Sequence, residues 1–169
     1  MQQSSRSDIE MDELLKLLRK DASLKPVQLA GMLNSSEEEI SKRIADFETD
    51  GTILAYHAIL NESKIDSDSV RAVIEVKLTP ERGGGFDRLA GRIAKYSEVS
   101  ACYLMSGAYD LLVVIEGDNL QNVARFVAEK LATIEGVVST STHFMLKAYK
   151  QQGVLMHHEE TEERLAVTP

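Results

Sequence analysis

Residues able to do chemistry fall in two places along this chain. Ser35, Ser36, Ser41, Lys42 and Arg43 lie close together. Hydroxyl and cationic side chains near a helix start are donors for phosphates and base edges. The second place is Gly107, Ala108, Tyr109 and Asp110, with Thr140 and Thr142 further on. An aspartate at a strand start can accept from an ammonium group. Two threonines at alternate positions of a strand share a face, and their hydroxyls can donate to a carboxylate. An ammonium acceptor and carboxylate donors are what a zwitterion needs. Plainer explanations exist: Ser-Gly-Ala-Tyr-Asp also suits a simple hairpin turn, and threonine favours strands anyway. No Gly-rich phosphate loop, nucleophile triad or paired-metal spacing occurs, so neither catalytic residues nor a metal or cofactor is expected. His157, His158, Glu159 and Glu160 are metal-ligand types, but they lie in an acidic stretch and read as a solvated tail. His143 reads as a core-edge residue, and Cys102 as a small hydrophobe.

The elements that must position these groups differ between the two halves. Met11, Leu14, Leu15 and Leu18 mark one face of a first helix. Pro26 suits the first turn of a second, with Leu29, Ala30 and Leu33 inward. Asn34 and Ser35 make the turn. Ser36 is a good N-cap, and Glu39 three residues on predicts a capping box. Ile40, Ile44 and Phe47 recur at helical spacing until Asp50 and Gly51 stop the third helix. The stretch TILAYHAIL then predicts a strand or short hairpin, so residues 11–60 read as a winged helix-turn-helix, with 61–69 as a polar linker. Beyond it Ala72, Ile74, Val76 and Leu78 alternate, predicting a strand over 71–79 with one buried face. A helix over 86–96, strands over 99–105 and 109–117, a second helix bearing Leu120, Val123, Ala124, Val127 and Leu131, and a strand over 137–148 follow. The order βαββαβ predicts a ferredoxin-like module over 70–150, making the chain α+β. Residues 151–169 read as an acidic tail. Leu111 to Ile115 is apolar on both faces, which predicts that a second subunit covers the open side of the sheet.

Composition narrows the classes. Net charge is −8, divided as −6 over residues 1–69, +1 over 70–150 and −3 over 151–169. The half that reads as a DNA reader is thus the acidic one, and its third helix opens with Glu37, Glu38 and Glu39. Carboxylates there suit the positive helix N-terminus but repel phosphate. No apolar run approaches the ~20 residues of a membrane span. The opening MQQSSRSDIEMDE lacks an apolar signal region, and with one cysteine no internal disulfide can form, so the expected location is the cytoplasm.

The strings LLKLLRKDASLKPVQLA, EISKRIADFETDGTILAYHAILN, LMSGAYDLLVVIEG and VVSTSTHFMLKAYK, in this order, resemble the leucine-responsive/AsnC (feast/famine) family of bacterial and archaeal regulators. The resemblance covers about 11–150. It implies double-stranded DNA as partner, and a second module that forms dimers and higher assemblies, often octamers. It also implies an amino acid or similar metabolite bound between dimers. In that pocket it places Gly107, Ala108, Tyr109, Asp110, Thr140 and Thr142. With Ile40, Ile44 and Phe47 turned inward, Ser41, Lys42 and Arg43 are expected to touch DNA, and Ser35 and Ser36 to donate to a phosphate at the helix start. The expected function is therefore a metabolite-responsive transcriptional regulator that is not an enzyme. Two alternatives stay open. Sirohaem decarboxylases resemble the same two-module family, and His57, His143, Arg71 and Arg92 are the polar groups such an enzyme could recruit. A metabolite-binding assembly protein with an acidic head that no longer binds DNA is the other.

Overall fold

The computed structural model of the chain describes residues 11–65, 69–80 and 85–156. It divides into two units, residues 1–58 and 59–169.

Three helices build the first unit: α1 (Glu13–Lys20), α2 (Pro26–Leu33) and α3 (Glu37–Thr49). Asp12 caps α1 by accepting from the Leu14 amide at 2.8 Å. Asn34 ends α2 in the left-handed region, at φ 51°, a conformation asparagine tolerates better than most residues. Leu14, Leu18, Leu29, Ala30 and Ile40 form the core, with Leu33, Ile44 and Phe47 packed against it at half burial. Burying a Leu or Ile side chain contributes about 1.5–3 kcal/mol, so these few residues hold the unit together. Met11, expected on the inner face of α1, is exposed instead. The strand expected within 52–60 is not formed among the described residues: this stretch has no ladder partner, and Leu54, Tyr56 and Leu60 are all exposed. Alternation alone makes a strand only when another edge supplies the hydrogen bonds. Among its described residues the first unit therefore shows three helices and no wing.

The second unit starts with a 3₁₀ turn at Glu62–Lys64 and continues with β1 (Val70–Leu78), α4 (Gly85–Ile93), β2 (Val99–Leu104), β3 (Leu111–Gly117), α5 (Leu120–Arg125) and β4 (Val137–Phe144). The four strands form one antiparallel sheet in the order β2-β3-β1-β4, the split arrangement that βαββαβ predicts. Ala72, Ile74, Val76 and Leu78 of β1 and Leu111, Val113 and Ile115 of β3 face the helices, where Leu89, Ile93, Val123, Phe126 and Leu131 meet them. Two element ends fall short of the expectation, α4 stopping at Ile93 instead of 96 and β4 at Phe144 instead of 148, and two further details depart from it. The second helix is α-helical only to Arg125 and continues as a π-helical turn over Phe126–Leu131. Lys150–Gln151 (β5) and Val154–Leu155 (β6) pair as a small hairpin, so the expected acidic tail begins with structure. Gln152 and Gly153 sit at φ 46° and 90°, the two left-handed residues that a tight type I′ hairpin requires. The stretch 157–160 read as tail lies outside the described residues.

Candidate functional site

In the first unit the start of α3 carries the candidate donors. Ser36 accepts from the Glu39 amide at 3.2 Å, as an N-cap should. The reciprocal half of the predicted capping box is replaced: the Glu39 carboxylate accepts from the Ser35 hydroxyl at 2.7 Å. Ser35 thus already donates to a carboxylate, while the Ser36 hydroxyl keeps its proton for another acceptor. Ser41 and Lys42 are exposed. Arg43 is different. Its guanidinium donates to both oxygens of Asp12, at 2.8 and 2.7 Å, and is half-buried. Burial pushes the Asp12 carboxyl up, but the Leu14 amide and the Arg43 guanidinium outweigh it, and the group titrates below its ordinary range. Arg43 therefore braces α3 against the start of α1, which the spacing of residues on α3 did not reveal.

In the second unit the candidate residues gather around one end of β1. Asp110 donates its amide to the Val76 carbonyl at 3.0 Å and accepts from the Leu78 amide on its carboxylate at 2.7 Å. Its carbonyl accepts from the Met105 amide at 2.8 Å, which closes the turn between β2 and β3. On the other side of β1, Thr140 stands opposite Val76 and Thr142 opposite Ile74. Opposed residues of an antiparallel pair point to the same face, so both threonines lie on the helix side of the sheet, half-buried. Asp110 and Thr140 are thus separated by β1, two strand spacings or about 10 Å. Gly107 and Ala108 are exposed and Tyr109 is half-buried. Gly107 is not in the left-handed region, and an added β-carbon would meet nothing within 4 Å. The turn therefore does not need glycine for its backbone, contrary to the expectation; what Gly107 leaves is open space beside the turn. Asp110 does two jobs in this geometry: one carboxylate oxygen holds the end of β1, and the other remains for a further donor.

Among the described residues of this unit, no helix covers the opposite face of the sheet. Val73, Leu112, Val114, Ala101 and Tyr103 lie there by register, alongside Glu75, Lys77 and His143. His143 approaches Glu75 at 3.6 Å and Ser141 at 3.3 Å. Arg71 is held by Glu62 and Glu116, each at 3.0 Å. Both basic groups are thus engaged with carboxylates. His57 lies in the first unit and His143 in the second. Among the described residues no group of His, Cys, Asp and Glu could hold a metal ion, and no helix is long and apolar enough to cross a membrane.

A two-module chain with this sheet and these helices defines a class that comparison with known proteins identifies. Residues 71–155 match the Lrp/AsnC ligand binding domain. An HTH-type transcriptional regulator of Bacillus subtilis (strain 168), YugG, is 41% identical over 158 residues, covering 93% of this chain and 95% of that protein. The leucine-responsive regulatory protein of Salmonella typhimurium is 26% identical, over 85% of this chain and 87% of its own length. Among solved structures, the transcriptional regulator NMB0573 of Neisseria meningitidis, determined as a complex with L-Met, superposes with a TM-score of 0.62 at 23% identity, covering 82% of this chain and 88% of that one. The chain belongs to the Lrp/AsnC family. Members of this family are transcriptional regulators and not enzymes, which removes the decarboxylase alternative.

Proposed function

We propose that this protein is a DNA-binding transcriptional regulator that responds to an amino acid or a closely related metabolite. The observation that carries the reading is the 41% identity to an HTH-type regulator across nearly the whole chain, both modules included. In the proposal α3 is the reading helix. Ser36, Ser41 and Lys42 contact DNA, Ser35 does so by exchanging its Glu39 contact for a phosphate, and Arg43 holds the helix in place. The 52–60 stretch, patterned as a strand but unpaired, supports a winged head completed by the same stretch of a second copy. The uncovered face with Val73, Leu112, Val114 and Tyr103 supports a dimer, since an apolar sheet face is costly to leave in water. Two such dimers enclose the effector between Gly107, Ala108, Tyr109, Asp110, Thr140 and Thr142, and repetition of this contact builds the octamer. The neighbouring Neisseria regulator was solved with L-Met, which supports an amino acid as ligand class here. Asp110 offers its remaining oxygen to the ammonium group. Effector binding then changes the assembly and with it the spacing of the heads, which must match half-sites on one face of the duplex. Such a regulator acts in the cytoplasm, where the DNA is.

The test is an electrophoretic shift assay of the full chain on the DNA upstream of its own gene, with and without pooled amino acids. A sequence-dependent shift altered by the pool is expected. No shift on any DNA, together with amino-acid binding, would replace this reading by that of a metabolite-binding assembly protein. The three glutamates opening α3 favour that second reading.

A further inference from the structure

A separate cleft of about 430 Å³ opens at the far end of the sheet from the Asp110 turn. It lies between Glu98, the end of β3 and the π-helical turn. Its volume is within the range of about 300–1,000 Å³ typical of small-molecule sites. Ile115, Val123 and Phe126 line its base, and charged groups ring it. Half of these charges are already matched. Lys130 bonds Glu98 and lies 5.8 Å from the centre of the Phe126 ring. Glu116 accepts from Arg71. The remainder are Asp118, which takes only a 3.4 Å bond from Asn122, and Glu129 and Arg125, whose side chains have no partner among the described residues. The wall that carries Glu129 and Lys130 is the π-helical turn, a rare form of helix that is frequent at functional sites.

Two carboxylates with open acceptor sites and one guanidinium without a partner among the described residues, set around an apolar base, are the charge complement of a ligand with two cationic groups and one carboxylate. We infer that this cleft is a second small-molecule site, complete within one protomer, that takes a diamino acid. Arg125 receives the carboxylate, and Asp118 and Glu129 receive the two ammonium groups. The site goes beyond the proposed regulatory reading, and needs neither DNA nor a second copy. Glu116 joins it to the rest of the chain, because the carboxylate at the cleft is also the one that holds Arg71, and Arg71 holds Glu62 ahead of β1.

The experiment is calorimetric titration of the full-length protein with L-lysine and L-ornithine. The probes for comparison are Nε-acetyl-lysine, which lacks one cation, and 1,5-diaminopentane, which lacks the carboxylate. Lysine or ornithine is expected to bind once per chain, and each deleted group to weaken binding by roughly tenfold or more, as loss of a charge-assisted hydrogen bond does. Arg125→Ala should erase the preference for lysine over the diamine. Asp118→Asn and Glu129→Gln should each weaken lysine by roughly tenfold, while Glu135→Gln, at an exposed position outside the cleft, leaves it unchanged. All three cleft side chains are at the surface, and a thermal melt of each variant confirms the fold. No binding of either diamino acid at millimolar concentration overturns the inference. So does binding that survives the cleft substitutions but is lost in Asp110→Asn, since the ligand would then occupy the other site.

Discussion

Removing the carboxylate of Asp12 tests whether Arg43 is a brace or a DNA contact. Asp12 both caps α1 and accepts a two-pronged bond from Arg43 on α3. Loss of an N-cap costs about 0.5–2 kcal/mol. The ion pair adds less than its geometry suggests, because the two side chains are 34% and 33% exposed, so about 1 kcal/mol is a fair figure. Asp12→Ala should therefore destabilise the three-helix unit by about 2 kcal/mol and Arg43→Ala by about 1 kcal/mol. Their double variant should show a coupling of about 1 kcal/mol. Hydrogen exchange of the α1 and α3 amides in the full chain reads this locally, without requiring the two units to unfold together. Asp12→Asn separates the terms, because asparagine still caps a helix but carries no charge. The pH dependence has a definite sign. The folded-state pKa of Asp12 is below its ordinary 3.8, so its contribution is present above that value and fades as pH falls through it toward the depressed one. Additive effects, with no coupling between Asp12 and Arg43, would refute the brace. So would an Arg43→Ala variant that keeps its protection from exchange but loses DNA binding.

Lys42→Ala should weaken DNA binding by roughly 1–3 kcal/mol with no change in stability, and Glu38→Gln should strengthen non-specific binding and steepen its salt dependence; shift assays across salt concentrations measure both. Leu112→Glu places a charge on the uncovered sheet face and should shift light scattering toward the monomer, whereas an unchanged assembly would put the interface elsewhere. Asp110→Asn keeps an acceptor for the Leu78 amide while removing the charge. It should weaken amino-acid binding in calorimetry by about ten- to a hundredfold, with Thr140→Val costing less. Gly51→Ala should destabilise the first unit by about 1 kcal/mol in thermal melts, because its φ of 77° is strained for any side chain; Gly107→Ala, with open space and an ordinary backbone, should not.

Periodicity along the chain determined most of the architecture. Ala72, Ile74, Val76 and Leu78 alternate and are buried as alternation requires; Leu14 and Leu18 repeat at helical spacing and are buried likewise. Both are local patterns, each encoded within a few residues of itself. The hairpin at 150–155 carries a local signal too, Gln152 and Gly153 between short extended pairs, inside the stretch whose composition reads as tail. What lay beyond the sequence was contact between distant residues. Asp12 reads as an N-cap, but nothing near it points to Arg43, 31 positions away. Asp110 reads as a free ligand group, and only the sheet register, which brings Leu78 from 32 positions away, shows that half of its carboxylate is spent on the fold. The cleft beside the π-helical turn needs Glu98, Asp118, Arg125 and Glu129 from three segments of the chain. The strand pattern at 52–60 is the reverse case: its residues suit a strand, but a strand exists only when another edge takes its hydrogen bonds. Sequence thus determined which elements form and which faces they bury, because those follow from local periodicity and burial. Which polar groups remain free to act was decided by the tertiary structure, because pairing depends on what packing brings within about 3 Å.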